Sequence, residues 1–181
     1  MQITKPVFHP KRAGIVLVLT VPPLLLLLAF YNAGFRWART PSLPPGIYRL
    51  TSNPADPLVS FCPEGNVSKV STERHYREEA WTCPDHFAPL LKPIAARSGD
   101  VVKVTKNGIS VNGLALPNTR SYPYDRQHLP MNPWPEGTYI VQPGTIWVLS
   151  TYNSASYDSR YFGPISERLI LNHAHPVWQF R

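Results

Sequence analysis

Residues 101–113 run Val101-Val102-Lys103-Val104-Thr105-Lys106-Asn107-Gly108-Ile109-Ser110-Val111-Asn112-Gly113. A β-branched run broken by one lysine is followed by Gly108, a second short run and a closing Asn112-Gly113. The pattern is strand, turn, strand, turn, as antiparallel pairing requires. The same grammar recurs outward from it. Toward the C-terminus, Tyr139-Ile140-Val141 and Ile146-Trp147-Val148-Leu149-Ser150 flank Gln142-Pro143-Gly144, and Leu169-Ile170-Leu171 and Val177-Trp178 are short and β-like. Toward the N-terminus, Ile47-Tyr48-Arg49-Leu50 alternates, and Leu58-Val59-Ser60-Phe61 is a brief apolar run between prolines. Residues 117–135 form a loop rich in Pro, Tyr and polar groups, and the charged stretch 68–80 is expected to be one surface helix. With 21 prolines in 181 residues, strands joined by stiff loops are favoured over long helices. The expected fold class is mostly β, an antiparallel domain behind one N-terminal helix.

That helix is expected at residues 13–35, AGIVLVLTVPPLLLLLAFYNAGF, which contain no charge. At about 1.5 Å per residue the segment can cross a hydrocarbon core of roughly 30 Å. Pro22-Pro23 should kink it, and Tyr31, Phe35 and Trp37 fit an interfacial aromatic belt. A cleavable signal peptide would need a small-residue exit site, which Phe35-Arg36-Trp37 does not offer. A buried core helix fits neither the length nor the double proline. The expected organisation is a cytoplasmic N-terminus at 1–12, a transmembrane anchor at 13–35 and an extracytoplasmic domain at 36–181. Basic residues lie on both sides of the anchor, so the positive-inside margin is thin.

Composition narrows the partners. The net charge is +7, but the basic residues are scattered, with no Lys/Arg-rich run. This points to anionic surfaces, most simply lipid headgroups, and not to nucleic acid. Cys62 and Cys83 are the two cysteines, and an even count at moderate spacing fits one disulfide in an oxidising compartment. Two buried thiols, or half of a metal site, are the other readings. No CxxC or HxxxH spacing supports zinc, and no metal or other cofactor is expected.

Three stretches could carry chemistry. Thr40-Pro41-Ser42-Leu43-Pro44-Pro45-Gly46 sets one serine among prolines, whose fixed φ restrains the backbone around it. A nucleophile needs that kind of presentation, although a proline-rich linker leaving a membrane would look the same. Lys92 lies within Leu90-Leu91-Lys92-Pro93-Ile94-Ala95-Ala96. Apolar flanks of this kind can strip a lysine of its proton and make it a general base, whereas a lysine at a strand end can also snorkel to solvent. The third stretch, Ser156-Tyr157-Asp158-Ser159-Arg160-Tyr161-Phe162-Gly163-Pro164, is dense in hydrogen-bonding groups. The six histidines occupy uninformative settings. His173-Ala174-His175 would project two rings from one strand face, but no carboxylate is near in sequence.

Taken in order, these pieces form a pattern: an anchor, Ser-x-Pro-x-Gly, a lysine before Ser98-Gly99-Asp100-Val101-Val102, then Val111-Asn112-Gly113, then Ser-x-Asp-Ser-Arg-Tyr-Phe-Gly-Pro. The chain resembles the type I signal peptidase family from about residue 13 to its C-terminus, and within it the conjugative-transfer signal peptidases of TraF type. Cys62-Pro63, Cys83-Pro84 and Pro176-Val177-Trp178 also find counterparts in that branch. The resemblance implies Ser42 as nucleophile and Lys92 as general base. It implies that the Thr40 hydroxyl joins the Ser42 N–H in an oxyanion hole, that Ser156 orients Lys92, and that Asp158 and Arg160 brace the loop. The chain departs from the family where Pro93 follows the lysine in place of a common arginine, and where Arg97-Ser98 replaces Leu-Pro before Gly99-Asp100.

The function so implied is that of a serine endopeptidase in the plasma membrane, with its domain in the periplasm. It would process a membrane-tethered, pilin-like precursor for conjugation. Ser42 lies seven residues beyond Phe35, within roughly 23 Å of the span. The same residues would serve hydrolysis or substrate cyclisation. A general leader peptidase, or an inactive anchored scaffold for pilus assembly, are the alternatives.

Overall fold

The computed structural model describes residues 10–38 and 40–180, with side chains from Thr20 onward. Most of the expected N-terminal basic segment, and Arg39, lie outside the described residues. Helix α1 covers Pro10–Asn32 and contains Pro22 and Pro23. Among the described residues no helix is long and apolar enough to cross a membrane. The side chains of 13–19, the first part of the expected anchor, lie outside them.

The helix itself stops at Asn32, before the expected end of the anchor at Phe35. Gly34 turns the chain at φ +88, and β1 (Phe35–Ala38) begins at once. Phe35 and Trp37 are therefore strand residues. β1 pairs antiparallel with β2 (Gly46–Thr51), setting Trp37 opposite Ile47.

Beyond the helix the chain is mostly antiparallel β. β3 (Leu58–Phe61), β4 (Leu90–Ala96), β9 (Thr145–Val148), β10 (Ile165–Ser166) and β11 (Ile170–Gln179) join the first two strands in a seven-stranded sheet of order β1-β2-β11-β3-β4-β9-β10. The stretch that opens the sequence argument forms a second sheet. There β5 (Val101–Thr105) pairs with β6 (Gly108–Val111) and β8 (Gly137–Ile140), and β7 (Leu114–Ala115) lies outside β6. The two β-like stretches near the C-terminus merge into β11, which changes register between Pro176 and Trp178.

β4 places the lysine, and its proline explains the sheet's geometry. Residues 90–93 pair with β3, setting Lys92 opposite Val59, whereas Ile94 and Ala96 pair with β9. Pro93 sits where the strand changes partner, a position that tolerates a missing donor. Its carbonyl still accepts from the Leu149 N–H at 3.1 Å.

Apolar side chains fill three clusters. Val59, Phe61, Leu90, Ile146, Val148 and Ile165, from β3, β4, β9 and β10, form one. Ala96, Val102, Val104, Ile109, Val141, Trp147 and Leu149 join the two sheets. Leu43, Tyr48, Leu58 and Ala174 underpin the Ser42 loop. Each large side chain buried completely contributes about 1.5–3 kcal/mol.

The helix expected over 68–80 is shorter and earlier, α2 at Gly65–Glu73. Tertiary partners end it. Arg74 is drawn to Asp125, His75 takes φ 54, and Arg77 turns inward to Asp85 and Ser71. The disulfide closes this region: Cys62 and Cys83 are bonded, with Cα atoms 5.5 Å apart.

Candidate active site

Ser42 stands in the tight loop between β1 and β2. Three of the loop's residues are prolines and lack an N–H, so most of its carbonyls find donors elsewhere. The Tyr48 hydroxyl donates to the Pro44 carbonyl at 2.6 Å, and the Phe180 N–H to Pro45 at 2.9 Å. Gly46 closes the loop because nothing larger fits: a Cβ there would stand 2.2 Å from the Trp178 carbonyl oxygen.

The structure brings Ser42, Lys92 and Ser156 together. Lys92 Nζ lies 2.5 Å from Ser42 Oγ and 3.0 Å from Ser156 Oγ, and the two hydroxyl oxygens are 3.1 Å apart. Ser42 and Lys92 are each 4 % exposed. Burial is the main cause of a Lys92 pKa lowered to about 8; Asp158 pulls it up and Arg160 pushes it down. An amine there carries an accessible lone pair near neutral pH, as a general base needs.

Thr40 is adjacent as expected, with a particular polarity. The Ser42 N–H donates to Thr40 Oγ1 at 3.2 Å. In the free protein, the two groups assigned to the oxyanion hole are bonded to each other, and the Thr40 hydroxyl hydrogen remains available to donate.

Asp158 and Arg160 form a buried, fully enclosed ion pair. Arg160 Nε donates to Asp158 Oδ1 at 2.7 Å and Nη2 to Oδ2 at 3.0 Å. The rest of the guanidinium fork donates to the carbonyls of Ser150, Asn118 and Ser154 at 2.8, 2.9 and 2.7 Å. The Asp158 carboxylate also accepts the Ser150 N–H at 3.0 Å. These are the brace contacts expected of the pair. No hydrogen bond runs from Asp158 to Lys92. Behind the pair, Asp158 caps α3 (Ser159–Phe162) by accepting the Arg160 N–H, and Gly163 ends that turn at φ +70.

Two residues that sequence reasoning passed over complete the setting. Ser150 Oγ donates to the Ser42 carbonyl at 2.7 Å, and Asn153 Nδ2 to the Pro41 carbonyl at 2.9 Å. Ser150 was visible only as the polar end of an apolar strand, and Asn153 only as a loop residue.

The Ser42 and Lys92 side chains open into a cleft of about 640 Å³. It is lined by His75, Tyr76 and Glu78 from one segment, by Tyr122, Tyr124 and Met131 from a second, and by Tyr157 and Tyr161. Arg74 joins the first two segments by donating to Asp125 at 2.9 Å and to the Pro130 carbonyl at 3.0 Å. The Tyr76 hydroxyl also donates to Asp125. His173 and His175 lie apart on β11, where His175 Nδ1 is 3.2 Å from Asp56 Oδ2. Among the described residues no group of three or more His, Cys, Asp or Glu side chains could hold a metal ion.

Comparison with known proteins identifies a family. The family described as "Signal peptidase, peptidase S26" matches residues 13–178. Plasmid transfer protein TraF of Escherichia coli is 31% identical over 157 residues, covering 85% of this chain and 88% of that protein. The probable conjugal transfer protein TraF of Sinorhizobium fredii is 33% identical over 165 residues, covering 88% and 85%. The conjugal transfer protein TraF of Agrobacterium fabrum is 33% identical over 159 residues, covering 81% and 84%. Among solved structures, a signal peptidase I from Enterococcus faecalis is a distant likeness, with TM-score 0.37 and 16% identity, covering 68% of this chain and 97% of that one.

Proposed function

Because the chain belongs to the signal peptidase family, peptidase S26, we propose that it is a membrane-anchored serine endopeptidase of conjugative transfer, with Ser42 as nucleophile and Lys92 as general base. One observation carries the reading: a lysine amine, buried and with its pKa lowered to about 8, lies 2.5 Å from a serine hydroxyl. A chain kept only as a scaffold would have no use for that pairing.

The steps follow from the contacts. With the amine neutral, the Ser42 O–H donates to Nζ, and an Nζ–H donates to Ser156 Oγ, which keeps the lone pair aimed at Ser42. As Ser42 Oγ attacks the scissile carbonyl, its proton passes to Lys92. Negative charge grows on the carbonyl oxygen, where the Ser42 N–H and the Thr40 hydroxyl can donate. Lys92 then gives the proton to the departing amine, leaving an acyl group on Ser42. Water, activated by the same amine, releases a linear product. If an amine of the substrate itself takes the place of water, the product is a ring, and the dyad serves both outcomes alike.

The relatives' names refer to plasmid and conjugal transfer, and this supports a pilin or another secreted precursor of a conjugation system as substrate. A membrane position is supported by α1. Leu24 to Leu28 are exposed along it, and an apolar face with no protein cover suits lipid. Next to it Trp37 packs on Phe180 and Phe180 on Trp178, with ring centroids 5.1 and 4.1 Å apart, while Trp37 and Trp178 stay about half exposed. Such rings favour the headgroup level. The Cys62–Cys83 bond supports an oxidising compartment such as the periplasm.

The test is processing of the candidate pilin in cells carrying Ser42→Ala or Lys92→Ala. Both variants should reach the membrane and leave the precursor uncut. Normal processing by either would refute the dyad. Intact mass of the mature pilin separates the outcomes, since a missing water marks ring closure.

A further inference from the structure

The Pro41 carbonyl and the Ser42 N–H belong to one peptide unit. In a planar trans peptide the C=O and N–H point in opposite directions, so whatever holds the carbonyl also aims the N–H. Asn153 holds it, donating from Nδ2 at 2.9 Å. The next carbonyl, that of Ser42, is held by Ser150 Oγ at 2.7 Å. The peptide units on both sides of the nucleophile are thus gripped from one loop.

That loop is itself fixed. Asn153 Oδ1 accepts the Ala155 N–H at 2.9 Å, which settles the side chain with Nδ2 toward Pro41. The Asn153 N–H donates to Ser150 Oγ at 3.1 Å. The Ser150 N–H and carbonyl are taken by Asp158 and Arg160. A continuous set of contacts runs from the buried ion pair through Ser150 and Asn153 to the nucleophile's backbone.

We propose that Asn153, supported by Ser150, is a positioning residue that fixes the orientation of the Ser42 peptide, so that its N–H, bonded to Thr40 Oγ1 in the free protein, is held ready to donate to the developing oxyanion. The inference rests on the assignment of Ser42 as nucleophile. Neither side chain needs to touch the substrate. Without the grip on Pro41, the Ser42 peptide can rotate, and a donor a few tenths of an ångström out of line stabilises the transition state poorly.

The experiment uses the full chain in detergent micelles and the p-nitrophenyl ester of N-acetylalanine. In acylation the Ser42 Oγ–carbonyl bond forms, the carbonyl–nitrophenolate bond breaks, and the Ser42 proton passes to Lys92. Asn153→Ala and the isosteric Asn153→Asp, neither of which can donate to Pro41, should each lower kcat roughly 10- to 100-fold. KM should stay within about twofold, because ground-state binding is untouched. In Asn153→Ala the pH midpoint of the rate should not move, because no charge is added or removed near Lys92, whereas the new carboxylate of Asn153→Asp should move it upward. Asn153→Gln, which retains an amide donor, should recover part of the loss. Ser150→Ala should act in the same direction and Ser150→Thr should restore the rate. Wild-type kcat in both Asn153→Ala and Asn153→Asp, with Ser42→Ala inactive, overturns the positioning role and leaves the nucleophile standing. Full nitrophenolate release by Ser42→Ala, or none by the wild type, overturns the nucleophile assignment and the positioning role together.

Discussion

The Arg74 guanidinium donates to the Asp125 carboxylate at 2.9 Å, joining two chain segments that both line the cleft beside Ser42. Burial alone would raise the Asp125 pKa. Hydrogen bonds from Tyr76, the Leu129 N–H, Arg74 and the Gln127 N–H outweigh it and lower the value to about 2. A carboxylate held below its unfolded value of about 3.9 binds fewer protons when folded, so its contribution is complete above that value and is lost as pH falls toward 2. Asp125→Asn should cost about 1–3 kcal/mol at neutral pH. The difference from wild type, followed by denaturant unfolding across pH, should shrink below pH 4. A constant difference down to pH 2 would show that Asp125 is not the titrating group.

Lys92 has the opposite sign of linkage. Its folded pKa is lowered to about 8, below an unfolded value of about 10.4. Between these values the unfolded chain binds the extra proton, so stability rises with pH through that window; below about 8 the buried charge is a standing cost. Lys92→Met should therefore stabilise the protein at neutral pH, by an amount on the order of 2–3 kcal/mol that fades toward pH 10. Activity should vanish in this variant and in Lys92→Arg, whose guanidinium keeps its proton. In the wild type kcat should climb with pH to a plateau, with a midpoint near 8. A rate independent of pH between 6 and 9 would contradict a lysine base.

How much of this was legible in the sequence depends on the range of the contacts. Strands such as Val101–Thr105 and Gly108–Val111 announce themselves because period-two alternation and glycine turns are local. β4 was obscured because Lys92 and Pro93 interrupt its apolar run, and only the exchange of partner strands at Pro93 makes room for the proline. Helix 68–80 was read too long because its later arginines are drawn to Asp125 and Asp85, partners no local pattern reveals. Gly34 ends the helix and β1 starts at Phe35, a turn that the unbroken apolar run up to Phe35 did not announce. In the site, Ser42, Lys92, Ser156, Thr40, Asp158 and Arg160 were implied by the family resemblance that the order of motifs carries. Ser150 and Asn153 were not, since common polar residues acquire their role only when the fold brings them to a loop more than a hundred residues away.

The disulfide closes the segment that carries α2 and then the Tyr76 wall of the cleft. A loop of this size contributes about 3 kcal/mol through the unfolded chain. Cys83→Ser, or full reduction, should lower stability by about 2–4 kcal/mol and raise KM more than it lowers kcat, because Tyr76 belongs to the wall and not to the dyad. Thermal unfolding with and without reductant checks the first part, and thiol labelling in intact cells checks that the bond forms there. Two freely labelled cysteines in cells would remove the disulfide from the working protein.

Arg160→Lys keeps the charge and is expected to fail. The guanidinium supplies donors to both Asp158 oxygens and to the carbonyls of Ser150, Asn118 and Ser154 in one plane. An ammonium has three donors and no fork, so at least two of these five buried acceptors lose their side-chain donor. Breaking a buried pair of this kind costs about 3–5 kcal/mol. Because Ser150 is held by the same pair and in turn holds the Ser42 carbonyl, kcat should fall along with stability even where the variant remains folded. Thermal melts and ester turnover on the same sample separate the two effects. A variant as stable and as fast as wild type would mean that the ion pair supports neither the fold nor the nucleophile's backbone.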